Sequence, residues 1–133
     1  MNILVVDGMG GGLGKAVIEH IKTIVLEKNA TIIAVGTNSF ATAAMLKAGA
    51  NTAATGENAV AYNAAKADFI IGAIGIIAAN AMHGEVTAKM AEAITTSRAH
   101  KILIPIDKCN ITVLGAKSAN IGEYLADIAK IIT

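Results

Sequence analysis

Residues 7–15 read Asp-Gly-Met-Gly-Gly-Gly-Leu-Gly-Lys, directly after the apolar run Ile3-Leu4-Val5-Val6 and directly before a helical pattern. The order is strand, glycine loop, helix, and the chemistry it permits is the holding of an anion. A helix N-terminus presents unpaired N–H groups at the positive end of its dipole, and glycine lets a bulky phosphate reach them. The alternative is a glycine-rich turn with no ligand.

Spacing narrows the choice. The pattern G-x-G-x-x-G fails, because Gly8 and Gly10 would require glycine where Leu13 stands. The P-loop pattern fails twice, with Met9 at its first glycine and Ala16 at the hydroxyl that holds magnesium. G-x-x-x-G-x-G fits at Gly8, Gly12 and Gly14, and the loop is similar to the cofactor loop of short-chain dehydrogenases and reductases. That resemblance implies that Gly8 makes the tight turn, Gly12 admits a pyrophosphate and Gly14 lets the helix pack on the strand. Asp7 stands where that family usually has threonine. A carboxylate there repels phosphate unless it orients a metal or accepts N–H bonds from its own loop, and the second is the expectation.

Three further loops should share the crevice. In a doubly wound sheet, ligands bind at the carboxyl ends of the strands, near the switch point between the first and fourth. This gathers 7–14, 36–39, 72–75 and 107–110, and it nominates Asp7, Gly8, Gly10, Gly11, Gly12, Leu13, Gly14, Thr37, Asn38, Ser39, Gly72 and Gly75 as cofactor-binding residues. The second strand ends without the acid that reads the ribose of NAD. Thr37, Asn38 and Ser39 instead offer hydroxyls and an amide to a 2′-phosphate, with no arginine and with Lys47 about two turns on. NADP is therefore favoured over NAD, with a mononucleotide as the alternative.

Other chemistry-bearing residues point nowhere definite, and no catalytic residue is assigned. Tyr62 and Lys66 match the Y-x-x-x-K pair of short-chain reductases, but they precede the fourth strand and should lie far from a nicotinamide. His83-Gly84-Glu85 matches the H-x-E of zinc deaminases without the P-C-x-x-C that completes the metal site, so a helix-connecting surface turn is expected, with His83 and Glu85 facing the crevice after the fourth strand's loop as the alternative. Cys109 lies in a turn beside Lys108, where inert packing is the ordinary role. No metal is expected.

The elements that must position these residues alternate. Helices are expected over 13–28, 40–48 (capped by Ser39), 57–66, 75–82, 87–97 (capped by Thr87) and a last one capped by Ser118 with Ile121, Leu125, Ile128 and Ile132 as its stripe. Strands are expected over 3–6, 31–35, 68–72 and 101–106, with weaker ones at 51–55 and 111–114. The result is an α/β chain: one Rossmann-like domain over 1–133, a three-layer sandwich on a mainly parallel doubly wound sheet of five or six strands.

Composition bounds the rest. At 133 residues the chain suits one domain with a real core, and a net charge of +1 gives no reason to expect nucleic acid or an anionic membrane as partner. One cysteine, no signal-peptide pattern and no apolar run long enough to span a bilayer make the cytoplasm the expected location. Charged residues are 16% and apolar residues 54%, against about 25% charged in an average domain. Too little polar side chain remains to cover a small monomer, so a homo-oligomer is expected.

The whole chain resembles the bacterial family known as domain of unknown function 3842. The resemblance rests on the opening Ile3-Leu4-Val5-Val6-Asp7-Gly8 with its glycine loop and on Ala34-Val35-Gly36-Thr37-Asn38. It continues through residues 41–50, Ala54-Thr55-Gly56-Glu57-Asn58-Ala59, and Ile102-Leu103-Ile104-Pro105-Ile106 with Cys109-Asn110. It implies no activity, but it draws attention to Thr55-Gly56-Glu57-Asn58, which reads as a helix start capped by Thr55. Three functions stay open: a nucleotide or dinucleotide binder acting as sensor or accessory subunit, a small NADP-dependent oxidoreductase completing its site from a neighbouring subunit, and a structural protein with an empty loop. The scarcity of acid–base groups near the crevice favours binding.

Overall fold

A computed structural model describes residues 1–106, 110–116 and 118–133. Five strands, β1 (Asn2–Asp7), β2 (Thr31–Gly36), β3 (Thr52–Thr55), β4 (Phe69–Ala73) and β5 (His100–Ile104), form one parallel sheet in the order β3-β2-β1-β4-β5. The helices α1 (Gly12–Glu27), α2 (Ser39–Ala48), α3 (Glu57–Ala64), α4 (Ala88–Thr96) and α5 (Ile121–Ile132) cover its two faces, and a 3₁₀ turn (Ile74–Ile77) follows β4. The chain is the expected α/β sandwich with a parallel doubly wound sheet, and the described residues contain five strands.

Strand β1 shows why the sheet is buried on both sides. Ile3 and Val5 join the core under α1, α2 and α5, while Leu4 and Val6 join the core under α3 and α4. Alternation sends successive side chains to opposite faces, so a strand covered twice must be apolar throughout. Its central place also puts the β1/β4 switch point in the middle of the sheet.

Several local expectations need correction. Residues 111–114 form no strand; they are exposed coil, with Leu114 93% exposed, because an apolar run becomes a strand only where a sheet edge accepts its ladder. Helix α5 is capped by Asn120, not Ser118: Asn120 Oδ1 accepts the Glu123 N–H at 2.9 Å. Likewise Asn38, not Ser39, caps α2 by accepting the Ala41 N–H at 2.9 Å. Gly56 occupies the cap of α3 at φ 102°, and the Thr55 hydroxyl instead meets Thr42 Oγ1 at 2.7 Å. The helix expected over 75–82 is only the 3₁₀ turn, followed by a tight loop to residue 86. Thr87 caps α4 as expected, accepting the Met90 N–H at 3.1 Å. Of the loop at 107–110, Asp107, Lys108 and Cys109 lie outside the described residues.

Candidate functional site

Asp7 closes β1 with its side chain only 6% exposed. Its Oδ1 accepts the Gly8 N–H at 2.8 Å and its Oδ2 accepts the Gly14 N–H at 2.7 Å. The carboxylate thus takes part of the N-terminal dipole of α1 for itself. Burial pushes its pKa above the usual carboxylate range, against the pull of the Gly14 and Gly8 amides, and the neighbouring Glu85 charge adds to the rise.

The glycines of the loop divide into two kinds. Gly11 has φ 73°, and a Cβ there would sit 2.7 Å from the Ala41 Cα. A Cβ on Gly14 would lie 2.5 Å from Met45 Sδ and 3.0 Å from Asp7 Cβ, so glycine is what lets α1 approach β1 and α2. A Cβ on Gly8 would meet Thr37 Oγ1 at 2.5 Å and Met82 Sδ at 2.7 Å. Gly10 and Gly12 are different: among the described residues a Cβ on either meets nothing within 4 Å, and neither has a positive φ. Their amides have no acceptor among the described residues.

Beside these two glycines opens a cavity of about 680 Å³, within the range of small-molecule sites. Asp7, Gly8, Gly10, Gly11, Gly12 and Leu13 line it, together with Met9, Ala73, Met82, His83 and Asn110. It therefore lies over the carboxyl ends of β1 and β4. Gly14, Thr37, Asn38, Ser39, Gly72 and Gly75 are not in its lining. Gly72 is small for packing, since a Cβ would meet the Val6 carbonyl oxygen at 2.7 Å, and Gly75 is buried within the 3₁₀ turn.

Thr37 and Asn38 are occupied by a side chain that the sequence did not single out for this place. Glu85 Oε1 accepts the Thr37 hydroxyl at 2.6 Å, the Asn38 Nδ2 at 2.7 Å and the Met9 N–H at 2.9 Å. Asn38 Nδ2 also donates to the Met9 carbonyl at 2.9 Å. The Thr37 hydroxyl, then the Met9 N–H and the Asn38 amide, hold the Glu85 carboxyl below its usual range. Glu85 leaves a loop in which Met82, His83 and Gly84 have φ of 56°, 56° and 89°. Two successive non-glycine residues in the left-handed region cost about 1–2 kcal/mol each, so the loop is held in place by its bonds. Those include Asn80 N–H to the Val86 carbonyl at 2.7 Å and Val86 N–H to the Ala81 carbonyl at 3.1 Å. The surface turn expected at His83-Gly84-Glu85 is a turn that faces the crevice. The H-x-E spacing drew attention to it, but nothing local announced a bond to a strand end 48 residues away.

The other look-alikes stay apart. Lys66 Nζ lies 2.5 Å from the Tyr62 hydroxyl and lowers its pKa, but Tyr62 is 58% exposed. Helix α3 runs back across the sheet, so its C-terminal end lies away from the strand ends that carry the cavity. Glu57, in the first turn of α3, accepts the Thr87 hydroxyl at 2.7 Å and so ties α3 to the start of α4. Among the described residues no group of three or more His, Cys, Asp or Glu could hold a metal ion, and no helix is long and apolar enough to cross a membrane.

Fold and site together define a Rossmann-like α/β protein with its crevice at the β1/β4 switch point. The chain belongs to the family described as domain of unknown function (DUF3842), whose sequence model matches residues 2–133. No curated protein sequence matches it. Among solved structures it is similar to a dodecameric FMN-dependent UbiX-like decarboxylase from Escherichia coli O157:H7, with a TM-score of 0.50 at 15% identity over 98% of this chain and 76% of that one. It also matches a universal stress protein in complex with cAMP, with a TM-score of 0.43 at 19% identity over 76% of this chain and 94% of that one.

Proposed function

We propose that this protein binds a phosphate-bearing nucleotide in the β1/β4 crevice, its phosphate on the amides of Gly10 and Gly12 at the start of α1. One observation carries the reading. Among the described residues, neither backbone conformation nor packing requires glycine at positions 10 and 12, yet both line the cavity and their N–H groups meet no acceptor there. Gly12 is the first residue of α1, where glycine loses more entropy on folding than alanine would. A ligand that must touch the backbone explains that choice.

The open volume lies over the ends of β1 and β4, which supports a mononucleotide held on that side of the loop. NADP, favoured from the second-strand residues, would need Thr37 and Asn38, which are both bonded to Glu85. Asp7, Gly8, Gly11 and Leu13 form the wall around the phosphate. Asp7 bears a negative charge beside it, and a carboxyl whose pKa is already raised by burial takes up a proton most readily when an anion arrives. Among the described lining residues His83 is the one imidazole and Asp7 the one carboxylate, and this short supply of acid–base groups supports binding as a sensor or accessory subunit over catalysis.

A thermal-shift screen with FMN, AMP, ATP, NAD and NADP tests the reading. A binder should raise the melting temperature by mass action, and no shift with any of them at millimolar concentration would sink it. The exposed apolar side chains Leu26, Phe40, Leu114 and Ile131 support the homo-oligomer proposed from composition. Light scattering at micromolar concentration checks it, and a monomeric mass would remove it.

A further inference from the structure

The half of the crevice between β1 and β2 is closed by the chain itself. In a dinucleotide fold, the end of the second strand takes the ribose of the adenosine, and an acid or a basic residue there sets the choice between NAD and NADP. Here β2 ends at Gly36 with no acid after it, and the acid arrives from the loop before α4. Glu85 joins the glycine loop to the β2 end through Met9, Thr37 and Asn38, and Asn38 adds a direct bond to the Met9 carbonyl. The closure is tight: a single methyl added at Gly8 would meet Thr37 Oγ1 at 2.5 Å, Met82 Sδ at 2.7 Å and Glu85 Oε1 at 3.1 Å. No ribose enters there while these bonds stand, and a 2′-phosphate would also face the Glu85 charge.

We propose that Glu85 is the specificity-determining residue of the site: by stapling the glycine loop to the end of β2 it confines the ligand to mononucleotide size and excludes NAD and NADP. This rests on the reading of the crevice as a nucleotide site. The carboxylate acts as a strut and is not a ribose acceptor, which sets it apart from the acid of NAD-binding folds.

Calorimetric titration of the full chain with FMN, AMP, NAD and NADP tests it on the wild type, Glu85→Ala and Thr37→Val. The readout is the ratio of the NADP dissociation constant to that of the tightest mononucleotide. The wild type should give a ratio of about ten or more, and Glu85→Ala should lower it about tenfold. Thr37→Val, which removes one of the three donors to Glu85, should lower it by about threefold and keeps the test available if Glu85→Ala does not fold. A wild type that binds a mononucleotide while neither variant moves the ratio overturns the role of Glu85 and leaves the site reading standing. A wild type that binds NAD tightly and loses it in Glu85→Ala makes Glu85 a ribose acceptor and overturns the proposal. A wild type that binds none of the four takes the site reading down with it.

Discussion

The two halves of the crevice begin from the same glycine loop and differ in what fills the space beside it. On the β2 side, Gly8 is packed under Thr37, Met82 and Glu85. On the β4 side, Gly10 and Gly12 border about 680 Å³ of open volume. The same residue type therefore answers two demands: close approach of protein to protein in one half, and open backbone in the other. A glycine whose missing side chain is replaced by neighbours speaks of folding. A glycine whose missing side chain is replaced by nothing among the described residues, and whose φ is not positive, is left unexplained by packing.

Substitutions can break that contrast. The largest effect is expected at Gly11, where alanine would be held at a positive φ and against the Ala41 backbone. Gly11→Ala should destabilise by about 3 kcal/mol in denaturant unfolding, a sum of conformational and overpacking terms. At Gly12 the same change should behave oppositely. Gly12→Ala should stabilise the fold by about 0.5–1 kcal/mol while weakening nucleotide binding about tenfold. Equal losses of stability at the two positions would erase the distinction between fold glycines and site glycines.

A smaller effect sharpens the comparison through pH. Glu85 has a lowered pKa in the fold, so its contribution is present above its unfolded value of 4.5 and is lost as pH falls through the lower folded value. Asp7 has a raised pKa, so its contribution is present below its unfolded value of 3.8 and is lost as pH rises through the higher folded value. Unfolding measured from pH 6 downward should therefore show a shallower acid loss in Glu85→Gln than in the wild type, modest in size because the carboxylate is partly solvated. An unchanged slope would mean that the staple carries no linkage. The smallest effect belongs to Tyr62→Phe. Remote from the crevice and exposed, it should leave both ligand affinity and melting temperature unchanged, and a loss of affinity would bring the Tyr62–Lys66 pair back into the site.

Much of the fold was legible in local pattern. The apolar run 3–6 and the β-branched run 31–35 each lie within one parallel strand, because burial on both faces demands continuous hydrophobicity. Thr87 capped its helix because capping is decided within three residues. The failures came where two local donors or acceptors competed. Ser39 stands next to Asn38, and Ser118 stands two residues from Asn120, and in each case the amide side chain took the cap. Residues 111–114 had the composition of a strand and no edge to join.

The sequence by itself determined that a glycine loop follows the first strand, that an α/β sheet carries it, and that the second strand ends without an acid. Those facts depend on neighbours along the chain, through periodicity, turn chemistry and residue type. Only the tertiary structure decided which glycines are explained by packing, that Asp7 turns back onto Gly8 and Gly14, and that Glu85 crosses 48 positions to close one half of the crevice. The physical reason is range: a hydrogen bond requires two groups to meet within about 3 Å, and spacing along the chain says nothing about that meeting until the sheet order has been set.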